Sequence, residues 1–217
     1  MAEAFVLEII YEDRDVVVAV KPAGVISEAC GDGNVPSLPS ALSRYFSEKS
    51  ENTDIFPVHR LDTGTRGLMV FARSKRAAAA LSEDAANGRL VKEYEALVNG
   101  HPGCDEGGRE LCDLLFKDSS KNKVYVVDRM RKGVREARLV YNVKEEREDT
   151  SLLRIRLITG RTHQIRVQFA SRGFPLCGDK KYGARDGSSE LGLCAVKLSF
   201  SHPVTGEALA FEIESNL

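Results

Sequence analysis

What most limits how this chain can fold is a succession of short runs rich in β-branched and aromatic residues, at 5–10, 16–20, 68–72, 94–98, 123–127, 137–143, 152–158, 193–200 and 208–213. Runs of this length and composition suit a pleated, half-buried surface. Most follow one another through short turns, Asn99-Gly100 among them, rather than alternating with helices. The pattern therefore predicts an α+β fold, a mixed, mainly antiparallel β-sheet with few flanking helices. Three helices are predicted: one capped by Ser37 and carrying Leu38, Leu42 and Phe46, an alanine-rich one capped by Ser74 and ending before Gly88, and one capped by Thr162 and ending before Gly173. The glycine-rich stretch 100–109 reads as a surface loop.

At 217 residues, one compact domain covering 1–217 is the expectation. The 31 basic and 32 acidic side chains leave a formal charge of -1, so bulk charge argues for no particular partner. The sign is uneven, however. From 117 to 138, Lys117, Lys121, Lys123, Arg129, Arg131, Lys132, Arg135 and Arg138 face only Asp118, Asp128 and Glu136, enough for a local basic face. Cys30, Cys104, Cys112, Cys177 and Cys194 are odd in number, scattered and without a C-x-x-C pair. They predict neither a disulfide framework nor a metal site, and point to a reducing compartment. The opening MAEAFVLEIIYEDRD has no basic n-region, and no apolar run is long enough to span a bilayer. A cytoplasmic monomer without membrane contact is expected.

No G-x-x-x-x-G-K-[ST], G-x-G-x-x-G, H-E-x-x-H or G-x-S-x-G occurs, which removes the usual support for nucleotide cofactors, zinc hydrolysis and a serine elbow. Three glycine-punctuated polar stretches remain beside apolar runs: VKPAGVISE, HRLDTGTRG and TGRTHQIRVQFASRG. Asp62 lies among Gly64 and Gly67, where backbone can approach a ligand closely; it suits an active-site carboxylate and equally an Asx-turn. His59, Arg60 and Asp62 crowd the entry to a strand that must be buried, an expensive arrangement unless they pair or bind something. In the third stretch, Ile165 and Phe169 share a buried helical face while Arg166 projects from the first turn, where the helix dipole disfavours a cation unless an anion meets it. His163 and Arg161 flank that turn, and an ordinary polar role is open to His163.

HRLDTGTRGLMVFA, KEYEALVNG and TGRTHQIRVQFASRGFPLCGDKKYG, in that order, resemble the RluA-type family of pseudouridine synthases, whose pattern is H-R-L-D-x-x-T-S-G, K-x-Y-x-A-x-V-x-G and G-R-T-H-Q-I-R. VKPAG near the start and HPVTGE near the end resemble the family's terminal landmarks, so the likeness spans nearly the whole chain. It implies an isomerase acting on uridine in transfer or ribosomal RNA, with no cofactor and no metal. Residue by residue, it implies that Asp62 is the nucleophile, Arg166 its ion-pair partner and Tyr94 the aromatic that stacks on the target base. Arg60 is implied to help open the RNA around the extruded nucleotide, and Ile165 to line the base pocket. His59, Arg161 and His163, inside the matching motifs, are assigned to substrate binding. Intact Asp62, Tyr94 and Arg166 argue against a catalytically silent RNA-binding module of the same fold.

Four positions depart from the pattern: Arg66 stands where the family has Ser, Gln168 where His is common, Cys194 where His often precedes the last long strand, and Glu28 where the first motif commonly has His. They touch none of Asp62, Tyr94 and Arg166 and bear on substrate contacts. No small N-terminal RNA-binding domain is expected ahead of the catalytic part, so substrate choice falls to its own surface, with the basic 117–138 segment as candidate.

Overall fold

The computed structural model describes residues 5–28, 36–51 and 54–217. Its strands are β1 (Glu8–Glu12), β2 (Val16–Lys21), β3 (Phe56–Pro57), β4 (Arg66–Ala72), β5 (Val91–Asn99), β6 (Arg109–Asp118), β7 (Lys123–Val127), β8 (Val134–Glu146), β9 (Thr150–Leu157), β10 (Leu193–Ser201) and β11 (Ala208–Glu212). Three helices, α1 (Leu38–Glu48), α2 (Lys75–Ala86) and α3 (Gln164–Ala170), and a 3-10 turn at Lys180–Tyr182 complete the described elements. The fold is the expected mixed, mainly antiparallel α+β arrangement. The chain packs as two compact units: Met1–Lys92 with Ala195–Glu214, and Glu93–Cys194 with Ser215–Leu217.

In the first unit, β2 pairs antiparallel with β1 and with β4, β3 adds to β4, and β11 pairs antiparallel with β10. Every residue of β2 is buried, which explains why its sequence is a continuous apolar run rather than an alternation. One face, carrying Val16, Val18, Val20, Leu68, Val70 and Ala72, packs with Ala77 and Leu81 of α2 and with Leu198 and Phe200 of β10. Val17, Ala19, Met69 and Phe71 on the other face are equally buried. Ser37 and Ser74 cap α1 and α2 as predicted, each accepting from the amide three residues on. Leu38, Leu42 and Phe46 are the buried stripe of α1.

The second unit orders its strands β5-β9-β8-β6-β7. Here the sequence reading needs correction in three places. β6 lies in a stretch where no strand was predicted; its Leu111 and Leu115 are buried, and it joins β7 and β8 antiparallel. Asn99-Gly100 is not a tight hairpin, because β5 and β6 are not neighbours; Gly100 N–H instead bonds the Asp149 carbonyl at 2.7 Å, and residues 101–108 lead on to β6. Thr162 does not cap α3: the helix starts at Gln164, and the residue before it, His163, is left-handed at φ 50 with no side-chain cap. The Gln164 carboxamide does the local work, accepting from Arg161 N–H at 3.0 Å and from the Thr159 hydroxyl at 2.8 Å while donating to the Arg138 carbonyl at 3.0 Å. Leu115, Val124, Ala137 and Val167 form the core between α3 and β6 to β8.

Gly67 is where the first unit is tightest. Its φ of +131 is one that side-chain-bearing residues rarely adopt, and a Cβ there would overlap the backbone oxygen, nitrogen and carbon of Ala195. Gly67→Ala is expected to lower stability by about 3 kcal/mol or more. Gly88→Ala, which has a positive φ of +72 but open space around it, is expected to cost only about 1 kcal/mol. Urea melts of the two variants check the contrast; equal losses would remove the close approach as the cause.

Candidate active site

Of the residues singled out from the sequence, His59, Arg60 and Asp62 belong to the first unit, and Tyr94, Arg161, His163, Ile165 and Arg166 to the second. The loop carrying the first three is held by the VKPAGVIS stretch. Ser27 Oγ donates to the Leu61 carbonyl at 2.8 Å and accepts from the Leu61 amide at 3.0 Å. On the other side of Asp62, the Thr63 carbonyl accepts from Gly24 N–H at 2.8 Å and from Lys21 Nζ at 3.1 Å. The turn closes through Thr65 N–H to the Asp62 carbonyl at 2.9 Å. Asp62 thus sits half-buried between two pinned neighbours.

Lys21, at the buried end of β2, was not picked out as a site residue. Its side chain is wholly enclosed, and its ammonium also donates to the carbonyls of Pro22 at 2.8 Å and Val25 at 2.7 Å. Burial pushes its pKa down to about 8, and the Asp62 carboxylate pulls it partly back. The visible signal was a lysine ending an otherwise apolar run. His59 plays a local part: where β3 stops, its Nε2 accepts from the Val70 amide at 3.2 Å. Burial, with the Lys92 ammonium adding to it, pushes the imidazole down to about 3, so it is neutral with the proton on Nδ1. Arg60 is exposed and lies 3.3 Å from Glu28, itself half-exposed.

In the second unit, Tyr94 is buried in β5 and Ile165 is buried in α3. Arg161 Nε reaches the Glu136 carbonyl at 2.9 Å. Arg166 forms a bidentate pair with Asp179, Nε to Oδ2 at 2.6 Å and Nη2 to Oδ1 at 2.8 Å. Asp179 is a second residue that sequence reasoning missed, although GDKKYG advertised an acid in a glycine-bounded turn. Its side chain is 1% exposed, so losing Arg166 would strand a carboxylate out of water, a defect of about 3–5 kcal/mol.

Among the described residues, the single set able to offer a metal three donors is Asp13, Asp15 and His202. Protein groups already use the donor atoms of Asp13 and His202. Asp13 Oδ1 accepts from the amides of Asp15 and Val16, and its Oδ2 from the Tyr11 hydroxyl and His202 Nε2, while His202 Nδ1 accepts from the Val204 and Thr205 amides. The cluster is a knot joining the β1–β2 turn to the β10–β11 turn. No disulfide links Cys104, Cys112, Cys177 and Cys194, and Cys30 lies outside the described residues.

The family model for RNA pseudouridylate synthase matches residues 15–171. The chain belongs to that family. An RNA pseudouridine synthase of Bacillus subtilis, named as uncharacterized, is 34% identical over 98% of this chain and 70% of its own length. The ribosomal large subunit pseudouridine synthase D of Vibrio cholerae is 36% identical over 97% of this chain and 68% of its own. In fold the chain is similar to human RNA pseudouridylate synthase domain containing 1, with a TM-score of 0.77, 24% identity and coverage of 99% of this chain and 86% of that one. As an RNA pseudouridine synthase it is an isomerase, converting uridine in RNA to pseudouridine.

In this synthase the loop around Asp62 rests on a charged group that the fold has dehydrated, and that has a pH signature. Lys21 has a lower pKa folded, about 8, than its ordinary 10.5. Between those values the unfolded chain holds more protons, so the stability carried by this position rises with pH. Below pH 8 the desolvation cost is borne in full. Thermal and urea melts of the wild type and of Lys21→Met at pH 7 and pH 9.5 are expected to show the gap widening in favour of the wild type with rising pH, by at most about 1.4 kcal/mol per pH unit. A gap that stays flat would mean that the ammonium is not desolvated.

Proposed function

We propose that the chain acts as a single cofactor-free catalytic domain on ribosomal or transfer RNA, with Asp62 as nucleophile, Arg166 as the catalytic cation, Tyr94 stacking on the target base, Ile165 lining its pocket and Arg60 occupying the space the extruded nucleotide leaves. His59, Arg161 and His163 support substrate binding by shaping the two loops. The observation that carries this reading is the pinning of Leu61 and Thr63 on either side of Asp62, which presents one carboxylate in a fixed place on a loop bounded by glycines. A preorganised nucleophile loses little entropy when the flipped nucleotide arrives. In the reaction the C1′–N1 bond breaks, the base turns and C1′–C5 forms, while C5 loses its proton and N1 gains one. Arg60 suits a displaced, inserting cation: its ion pair with Glu28 is exposed, and exposed pairs hold weakly. Large-subunit ribosomal RNA is the favoured substrate because relatives such as the Vibrio cholerae protein bear that name. A cytoplasmic monomer without membrane contact fits the sequence, and no described helix is long and apolar enough to cross a membrane.

Tritium release from C5-labelled uridine in RNA tests the nucleophile. Asp62→Asn keeps the shape and removes charge and nucleophilicity, so release is expected to fall to background while RNA binding and the thermal melt stay near wild type. Chelators are expected to leave the wild-type rate unchanged. Substantial release by Asp62→Asn would end the mechanism, and lost binding with a normal melt would move Asp62 from chemistry to recognition.

The basic segment bears on RNA affinity. Lys117, Lys121, Arg129, Arg131, Lys132 and Arg135 are exposed on β6, in the turns before and after β7 and at the start of β8, whereas Arg138 is tied to Glu110 at 2.7 Å. We assign the exposed group to phosphate binding. Reversing Arg129, Arg131 and Lys132 to Glu is expected to weaken RNA binding and to lower the slope of log affinity against log salt by about 0.7 to 0.9 for each phosphate no longer neutralised. Unchanged affinity and slope would leave the segment a solvated hairpin.

A further inference from the structure

Arg166 leaves the first turn of α3, and one edge of its guanidinium is fully committed. Nε and Nη2 grip the two oxygens of Asp179, with the side chains 11% and 1% exposed. A bidentate fork in so dry a setting fixes the plane and rotation of the guanidinium as well as its position. Tyr182 lies beside it, its ring centroid 5.2 Å from the guanidinium carbon. The Tyr182 hydroxyl accepts from the Val124 amide of β7 at 3.0 Å and stands 2.8 Å from His163 Nδ1.

Asp179 and Tyr182 belong to one turn. The Asp179 carbonyl accepts from the amides of Tyr182 at 3.0 Å and Ala184 at 3.1 Å, and Asp179 N–H bonds the Leu176 carbonyl at 3.1 Å. The turn has no slack at Gly178, whose φ is +71 and where a Cβ would overlap the Glu190 backbone. Such a turn is a rigid mount. A buried ion pair is a poor device for stability alone, since well-packed apolar side chains of similar volume often do as well or better. It is a good device for aiming a charged group.

We infer that Asp179 is a positioning residue for the catalytic cation, holding Arg166 by one edge so that the orientation of the guanidinium is set before RNA binds, with Tyr182 as the support that ties this mount to β7 and to His163. The inference rests on the reading of Arg166 as the catalytic cation. Asp179 itself meets no reacting atom; its effect passes through Arg166.

The test is single-turnover tritium release with enzyme in excess, alongside RNA affinity and thermal melts. Asp179→Asn keeps the shape of the side chain but loses charge and fork, and its chemical rate is expected to fall about 100-fold, the scale of a small misplacement of a catalytic group, with RNA affinity within about twofold of wild type. Arg166→Lys retains the charge opposite Asp179 and so retains the fold, but it cannot make the fork; it is expected to fall by a similar factor. The double variant is expected to fall no further than the weaker single. Wild-type rate in Asp179→Asn, wild-type rate in Arg166→Lys, or losses that multiply in the double variant would each overturn the positioning role. Arg166→Met separates the two levels: at the wild-type rate it removes the catalytic reading of Arg166 and this inference with it, whereas an inactive Arg166→Met beside a fully active Asp179→Asn removes only the role of Asp179.

Discussion

A fully buried ammonium group organises the first unit. Lys21 stands at the end of a strand buried on both faces, and dehydrating a charge there is costly unless every donor finds an acceptor. The fold meets that condition with the carbonyls of Pro22, Val25 and Thr63, charge-assisted bonds of the stronger kind. Two of these acceptors lie in the turn after β2 and the third lies next to Asp62. One side chain therefore makes two distant loops into a single object, and Ser27 repeats the join on the other side of Asp62 through Leu61. The carboxylate inherits its place from the backbone on either side of it, which the Lys21 and Ser27 side chains hold.

The second unit solves a related problem with opposite means. There the buried charge is the carboxylate of Asp179, and the group that satisfies it is the guanidinium of Arg166. Each unit thus satisfies a buried charge with hydrogen-bonding partners of its own. The difference lies in what the partner can do. Backbone carbonyls fix a loop, whereas a carboxylate paired by its two oxygens fixes the direction of a planar cation.

Legibility in the sequence followed the same division. Elements whose signal is local came through: β2, β7 and β10 from their β-branched runs, α1 and α2 from Ser caps followed by an apolar stripe. Elements decided by partners did not. β6 begins in a glycine-rich stretch, and its apolar residues are diluted by Arg109, Glu110, Asp113 and Lys117; pairing with β7 and β8 overrides that composition. Thr162 was a sound cap by propensity, but Gln164 reaches the Arg161 amide first and moves the helix start. Asp62, Tyr94 and Arg166 stand out in the sequence because the motifs around them resemble a family pattern. Lys21 and Asp179 do not, since what marks them is burial and partners from other segments, and no spacing rule carries that.

The departures from the family pattern become intelligible through the partners these residues find. Gln168 is fully buried and donates to Asp113 Oδ2 at 2.7 Å, and Asp113 is also held by Arg172 through two bonds of 2.8 and 3.0 Å. A glutamine there anchors α3 to β6 through a neutral amide, so this link does not titrate as a histidine's would. Arg66 turns toward the Glu214 carbonyl at 3.4 Å on the exposed edge of the first unit. Glu28 places a carboxylate 3.3 Å from Arg60, with both side chains more than half exposed. A pair so solvated is worth well under about 1 kcal/mol, less than the few kcal/mol needed to unstack a base. Glu28 therefore holds Arg60 only weakly, which leaves the guanidinium open to other partners.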